Sequence, residues 1–181
     1  MQNLSKDEPL KNALSIKLVS HFKGEYKNCI YLDTGANREN KLIYPSANTI
    51  AFNTLTTSFE NDRSQTFINA LPGSKGITCI AQSQNKKYLA WCEETDSVPL
   101  IFLIDLTDPQ LKRKFLAAEE IKNKKFISLT FNGTEISDPK FLVALTSGPD
   151  HSIAQWNFEK GKYFIHPLEK NEKIEKTIGG V

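Results

Sequence analysis

Asp150-His151-Ser152-Ile153-Ala154-Gln155-Trp156-Asn157 is the stretch that decides the fold. A turn-type acidic residue leads into an apolar alternation, the two-residue period of a strand, which closes on a large ring and a short polar residue. Ile101-Phe102-Leu103-Ile104-Asp105 closes in the same way 52 residues earlier, and Thr49-Ile50-Ala51-Phe52-Asn53 does so 52 residues before that. Upstream of the last two endings, Ile77-Thr78-Cys79-Ile80-Ala81-Gln82-Ser83 resembles Phe126-Ile127-Ser128-Leu129-Thr130-Phe131-Asn132. Lys87-Tyr88-Leu89-Ala90 likewise resembles Lys140-Phe141-Leu142-Val143. Each unit therefore reads strand, turn, strand, turn, strand, loop, strand. Roughly 40–50 residues with four strands is the size of one propeller blade. The predicted fold class is all-β, a partial β-propeller of about three four-stranded blades that does not close alone.

Working outward, further short runs carry the strand period: Leu14–Val19, Cys29–Leu32, Lys41–Tyr44, Gln65–Ile68, Lys112–Leu116 and Lys162–Ile165. Turn formers separate them, among them Pro72-Gly73, Asn132-Gly133 and Gly148-Pro149-Asp150. The segment Leu116–Lys125 reads equally as a helix or a loop. Organisation follows as an N-terminal extension over 1–13, the partial propeller over 14–166 and a charged tail over 167–181.

The opening stretch resembles the WD-repeat consensus, in which a turn Asp precedes a strand ending in Trp-Asp. On that resemblance Asp150, Trp156, Asn157, Asp105 and Asn53 are structural positions: the turn acid satisfies backbone N–H groups and the indole packs between blades. This makes the class a WD40-like propeller. The histidine that completes the polar set has no counterpart in Lys122-Asn123-Lys124-Lys125, so weaker polar linkage between blades is expected.

Composition narrows the function. Twenty-three basic against 21 acidic side chains leave a net charge of +2, too balanced to point to nucleic acid or an anionic membrane. Lys112-Arg113-Lys114 reads as a solvated loop, and aromatics beside lysines, such as Phe126 beside Lys125, read as core rather than as base-stacking platforms. The longest apolar run, Val98–Ile104, contains Pro99 and stops at Asp105, far short of a bilayer span. Met1–Glu8 lacks the apolar run of a signal peptide. Cys29, Cys79 and Cys92 have no metal-type spacing and apolar neighbours, which predicts reduced core thiols in an intracellular compartment.

No stretch assembles an active site. Asp150-His151-Ser152 has the residue types of a triad, but adjacent positions in a tight turn cannot form a relay. Gly73-Ser74-Lys75-Gly76 lacks the strand–loop–helix setting of a phosphate cradle. His21, His151 and His166 share no ligand spacing with the cysteines, and Glu93-Glu94 and Glu119-Glu120 read as solvated charge. The expectation is a protein that is not an enzyme and has no cofactor, no metal and no small-molecule substrate.

His21-Phe22-Lys23-Gly24-Glu25-Tyr26-Lys27-Asn28-Cys29-Ile30-Tyr31 and Leu42-Ile43-Tyr44-Pro45-Ser46-Ala47-Asn48 resemble the N-terminal propeller portion of the cilia- and flagella-associated WD-repeat protein 57 family. Asn85-Lys86-Lys87-Tyr88-Leu89-Ala90 and Lys125-Phe126-Ile127-Ser128 extend the likeness over most of residues 14–165. The resemblance implies a cytoplasmic, cytoskeletal protein of the ciliary or flagellar axoneme, with tandem propellers before a long coiled coil. It also implies a scaffold associated with inner dynein arms or their regulatory complexes. The chain departs from that pattern, for it shows no second propeller and no sustained heptad, and Leu168–Lys176 is short and charged. Coiled-coil anchoring is therefore not carried over.

An unclosed propeller leaves strand edges and one apolar face without cover, which invites association. Leu14–Val19 is placed to complete a last blade lying beyond Val181. The chain then reads either as part of a longer protein or as a short paralogue capped by another chain. The expected partners are proteins: axonemal or dynein-arm components, or a chain that completes the propeller. Expected contact loops contain Ser46, Asn48, Asp96, Gly148 and Pro149, together with the Lys122–Lys125 loop. The rival class is a translation-initiation-factor-like propeller that touches ribosomal components.

Overall fold

The structure is a computed structural model that describes residues 31–33, 40–55, 65–108, 110–116, 119–123, 125–133, 137–148 and 151–168. Strands β1 Tyr31–Asp33, β2 Asn40–Ser46, β3 Thr49–Leu55 and β4 Gln65–Asn69 make the first sheet, in chain order. The second holds β5 Gly76–Gln82, β6 Tyr88–Glu94, β7 Leu100–Asp105 and β8 Lys114–Leu116. The third holds β9 Phe126–Phe131, β10 Phe141–Thr146, β11 Ser152–Asn157 and β12 Lys162–Pro167. Every pairing is antiparallel between chain neighbours, so each sheet is a simple meander.

The alternation of the middle sheet explains the stacking. Leu89, Trp91, Phe102 and Ile104 share one core with Ile43, Ile50 and Phe52 of the first sheet. Their neighbours in sequence, Ala90, Cys92, Ile101 and Leu103, share a separate core with Phe126, Leu142, Ala154 and Trp156 of the third. Successive side chains of a strand point to opposite faces. One sheet therefore serves two cores, with a burial pattern on β6 that is closed on both faces. In the third sheet β10 instead alternates between buried and half-buried residues, because among the described residues a neighbouring sheet covers only one of its faces. Three sheets in a row, each a blade, form the predicted partial propeller.

Turn chemistry ends the strands where it was expected to. Ser74 N donates to Leu71 O at 3.0 Å around Pro72-Gly73, with Gly73 at φ 89°. Proline presets the first central residue of such a turn, and the second needs the left-handed region that glycine tolerates. Asp105 and Asn157 play one role at the ends of β7 and β11. Thr107 N donates to Asp105 Oδ1 at 2.8 Å and Lys160 N to Asn157 Oδ1 at 3.0 Å, each closing the turn that follows.

Asn53 differs from this pair. Its Nδ2 donates to Tyr44 Oη at 3.0 Å within the sheet. Phe52 before it points toward the following sheet, whereas Ile104 and Trp156 point toward the preceding one. The two intervals of 52 residues are thus unlike: the later one relates equivalent positions, and the earlier one is off by a pleat.

Among the described residues there is no helix. Leu116 pairs with Ile101, Glu119 and Glu120 form a turn and Ile121 is buried, so the 116–125 segment serves as the crossing from sheet two to sheet three. Leu14–Val19 and Cys29 lie outside the described residues. Lys114 belongs to β8 rather than to a loop, and its Nζ donates to Phe158 O of the third sheet.

Cys79 and Cys92 face each other across β5 and β6 as free thiols. Burial, with a smaller contribution from Cys79, pushes the Cys92 thiol up. A thiolate is the reactive form. Iodoacetamide should therefore leave Cys92 unmodified in the folded chain and alkylate it in urea, as read by mass spectrometry. Rapid alkylation under native conditions would contradict this packing.

Candidate functional site

In a meander of this kind the second-to-third strand connection and the segment leading into the first strand lie at one end of each sheet. Ser46 ends β2 at such a connection, Asn48, Asp96 and Gly148 fall within them, and all four share one rim, whereas Pro149 and Asp150 lie outside the described residues. The rim is partly tied up by internal bonds. Asn48 Nδ2 donates to Ser74 O at 3.3 Å, and Ala70 N donates to Asn48 O at 2.7 Å. Thr49 Oγ1 donates to Ser46 O at 2.8 Å. Asp96 pairs with Lys75, which raises the lysine's pKa through a hydrogen bond and charge attraction.

Around the third sheet the same rim opens into a cleft of about 530 Å³. Its walls are Glu120–Asn123 and Lys125 on one side, Ser147, Gly148 and Ser152 on the other, with Glu94 at the end of β6 and Ile165 of β12. Ile121 is buried beneath it. The far wall is held rigid by Thr146, itself fully buried: Ser152 N donates to Thr146 Oγ1 at 2.8 Å. His151 Nδ1 lies 2.9 Å from Thr146 O, and since a carbonyl only accepts, this nitrogen carries the hydrogen. Gly148 sits against that ring, where a Cβ would come within 3.3 Å of His151 Nε2.

The loop that lacks the consensus histidine is nonetheless linked. Asn123 Nδ2 donates to Ser147 O, and Ser147 N donates to Lys125 O at 3.0 Å. These two bonds tie the loop to the β10–β11 turn. Lys125 Nζ stands 4.0 Å from Glu94 Oε2 with both side chains partly exposed. Such a pair is worth little, leaving both charges free to meet a ligand. The lining thus alternates acid and base over an apolar floor, with backbone and hydroxyl groups between.

Glu93 is a correction to the sequence reading. It is 0% exposed, not solvated. Trp91 Nε1 donates to its Oε1 at 2.9 Å, and Leu71 N donates to its Oε2 at 3.0 Å. The carboxylate ties the second sheet to the segment arriving from the first. Among the described residues no cluster of three or more His, Cys, Asp or Glu side chains is placed to hold a metal.

The opposite rim is used for cohesion. Asn85 Nδ2 donates to Asp138 Oδ1 at 2.8 Å and Lys87 Nζ to Asp138 Oδ2 at 2.7 Å, joining sheets two and three. Lys87 Nζ also lies 5.1 Å from the centre of the Tyr88 ring. The hydrogen bond to Asp138 raises the Lys87 pKa.

No family model matches the chain. Its sequence is 40% identical over 99 residues to cilia- and flagella-associated protein 57 A of Tetrahymena thermophila, covering 55% of this chain and 7% of that protein. It is 32% identical over 126 residues to cilia- and flagella-associated protein 57 of Mus musculus, covering 68% of this chain and 9% of the relative. Similarity to the Tetrahymena protein 57 C is 26% over 159 residues, 84% of this chain and 11% of that one. Among solved structures the chain is similar to the β-propeller domain of the Trilobed protease from Pyrococcus furiosus, at TM-score 0.48 and 17% identity. That match covers 78% of this chain and 43% of the other. The chain spans 7 to 11% of the length of the curated relatives it matches. With blades in the fold and these relatives in the sequence, the chain belongs to the cilia- and flagella-associated protein 57 family.

Proposed function

We propose that the chain is a non-enzymatic WD-repeat scaffold of the ciliary or flagellar axoneme, associated with inner dynein arms or their regulatory complexes. Kinship with the protein 57 relatives carries this reading. The rim cleft supports the binding half of it. Its charges come in both signs, Glu94 and Glu120 beside Lys122 and Lys125, over the buried Ile121. That lining suits a polypeptide segment, which offers backbone donors and acceptors together with side chains of either charge. A near-neutral chain has no strong net field to attract a polyanion, which favours a protein ligand.

Expression of the tagged chain in ciliated cells tests the reading. It should stay with the axoneme after detergent extraction. Replacing Lys122 and Lys125 together by glutamate should cut retention roughly fivefold, the scale expected for reversing exposed interface charges. A chain that is extracted entirely with the membrane and soluble fractions would refute the axonemal assignment.

A further inference from the structure

The rim cleft has the dimensions of one extended chain. Its lining residues all belong to sheets two and three and to the crossing between them, so its walls are complete within these two sheets. It spans the width of the third sheet, from Lys125, which leads into β9, to Ile165 on β12. Strands about 4.8 Å apart make that path about 14 Å long. Spread over this length, 530 Å³ leaves a cross-section of about 40 Å². One strand in a packed sheet occupies about 48 Å², given ~4.8 Å between strands and ~10 Å between sheets. A helix with its side chains is about 10–12 Å across and needs roughly twice that area. The path therefore takes an extended segment. At about 3.4 Å per residue it holds about four residues.

The chemistry differs between the two ends. Lys122 and Lys125 stand at the β9 end, both exposed. Glu94 beside Lys125 keeps 29% side-chain exposure against 47% for the lysine, so the positive charge is the more accessible of the two. At the β12 end Ile165 is half-buried against the core of sheets two and three. Between them Ser147 and Ser152 line the wall, and a hydroxyl both donates to and accepts from a peptide backbone. The two ends also lie on different walls, the lysines on the crossing and Ile165 on the third sheet. Successive side chains of an extended chain alternate in direction, so residues three positions apart point to opposite walls.

We propose that the cleft binds an extended four-residue segment of a partner protein with an acidic residue at one end and an aliphatic residue at the other. The acidic side chain meets Lys122 and Lys125, and the aliphatic one, three positions away, packs on Ile165. A nucleic-acid strand fits these walls poorly, because Glu94 and Glu120 would oppose a row of phosphates. The inference rests on the polypeptide reading above and names the motif that the cleft selects.

Random heptapeptides displayed on phage and selected on the tagged full chain test it. They should converge on Asp or Glu three positions from Leu, Ile or Val. Fluorescence anisotropy of a labelled synthetic peptide of that sequence then reads binding. Lys125→Glu should weaken it roughly tenfold with the melting temperature unchanged, and Lys122→Glu should act in the same direction. Exchanging the acidic residue of the peptide for lysine should restore binding to the Lys125→Glu chain to within about threefold. Serine in place of the aliphatic residue should weaken binding roughly fivefold on either chain. Selected peptides without a common spacing, or binding that ignores both lysine variants, overturn the proposal. Enrichment of sequences found in this chain itself would assign the cleft to a second copy and overturn it too. Loss of axonemal retention with peptide binding intact would instead overturn the axonemal reading and leave this inference standing.

Discussion

Replacing Glu93 by alanine should destabilise the chain by about 3 kcal/mol, because the buried Trp91 Nε1 and the part-buried Leu71 N both lose their acceptor, and a buried group left unpaired costs about 1–3 kcal/mol. Trp91 Nε1 and Leu71 N both point at this carboxylate, and Glu93 is 0% exposed, so water cannot stand in for it without opening the sheet. For a chain of this size the melting temperature should fall by about 10 °C. Glutamine retains one carbonyl acceptor but turns an amide N–H toward the other donor, so Glu93→Gln should land between. Glu94→Ala is the control: Glu94 keeps 29% side-chain exposure and only a 4.0 Å contact to Lys125, so about 0.5 kcal/mol or less is expected. Urea denaturation of the three variants measures the ordering. Equal effects at Glu93 and Glu94 would show that the buried carboxylate does not tie the sheets.

Trp156→Ala should cost about 3–5 kcal/mol, the range for deleting a large ring from a packed core. Trp156 is 2% exposed, stands edge-on to Phe126 at 5.7 Å and stacks on Tyr163 at 6.4 Å. It belongs to the core shared by sheets two and three, so its loss loosens that junction and leaves the junction of sheets one and two intact. Amide exchange should accelerate in β9–β12 before β2 and β3. Trp156→Phe, which keeps a ring, should cost about 1–1.5 kcal/mol. Uniform acceleration over all three sheets would contradict two separate cores.

The strand pattern was legible because alternation is a local property. Leu100–Asp105, Phe126–Phe131 and Ser152–Asn157 are bounded in the structure where the apolar alternation and the turn residues bound them in the sequence. Facing is set by neighbours and is harder to read. Asn53 follows a large apolar residue just as Asp105 and Asn157 do, yet only the stacking reveals that Phe52 points the other way. Glu93 was readable in principle. It stands two residues after Trp91 on one strand, so the period that buries the indole also places the carboxylate on its face. Adjacent Glu94 suggested a charged pair at the surface, whereas a strand sends such neighbours to opposite sides. Asn123 was obscured by the lysines around it, since a loop amide gives no sign in sequence of the carbonyl it will reach. The rim cleft is assembled from residues as far apart as Glu94 and Ile165, and only blade stacking brings them together.

Everything depends on the middle sheet facing two cores, and methyl-resolved NMR reads that directly. Ile101 and Ile104 lie three residues apart on β7. Through-space contacts from the Ile101 methyl groups to the neighbouring sheet should reach side chains of the third sheet only, and those from Ile104 side chains of the first only. A common set of neighbouring-sheet contacts for both residues, as a two-layered sandwich would give, would contradict the propeller.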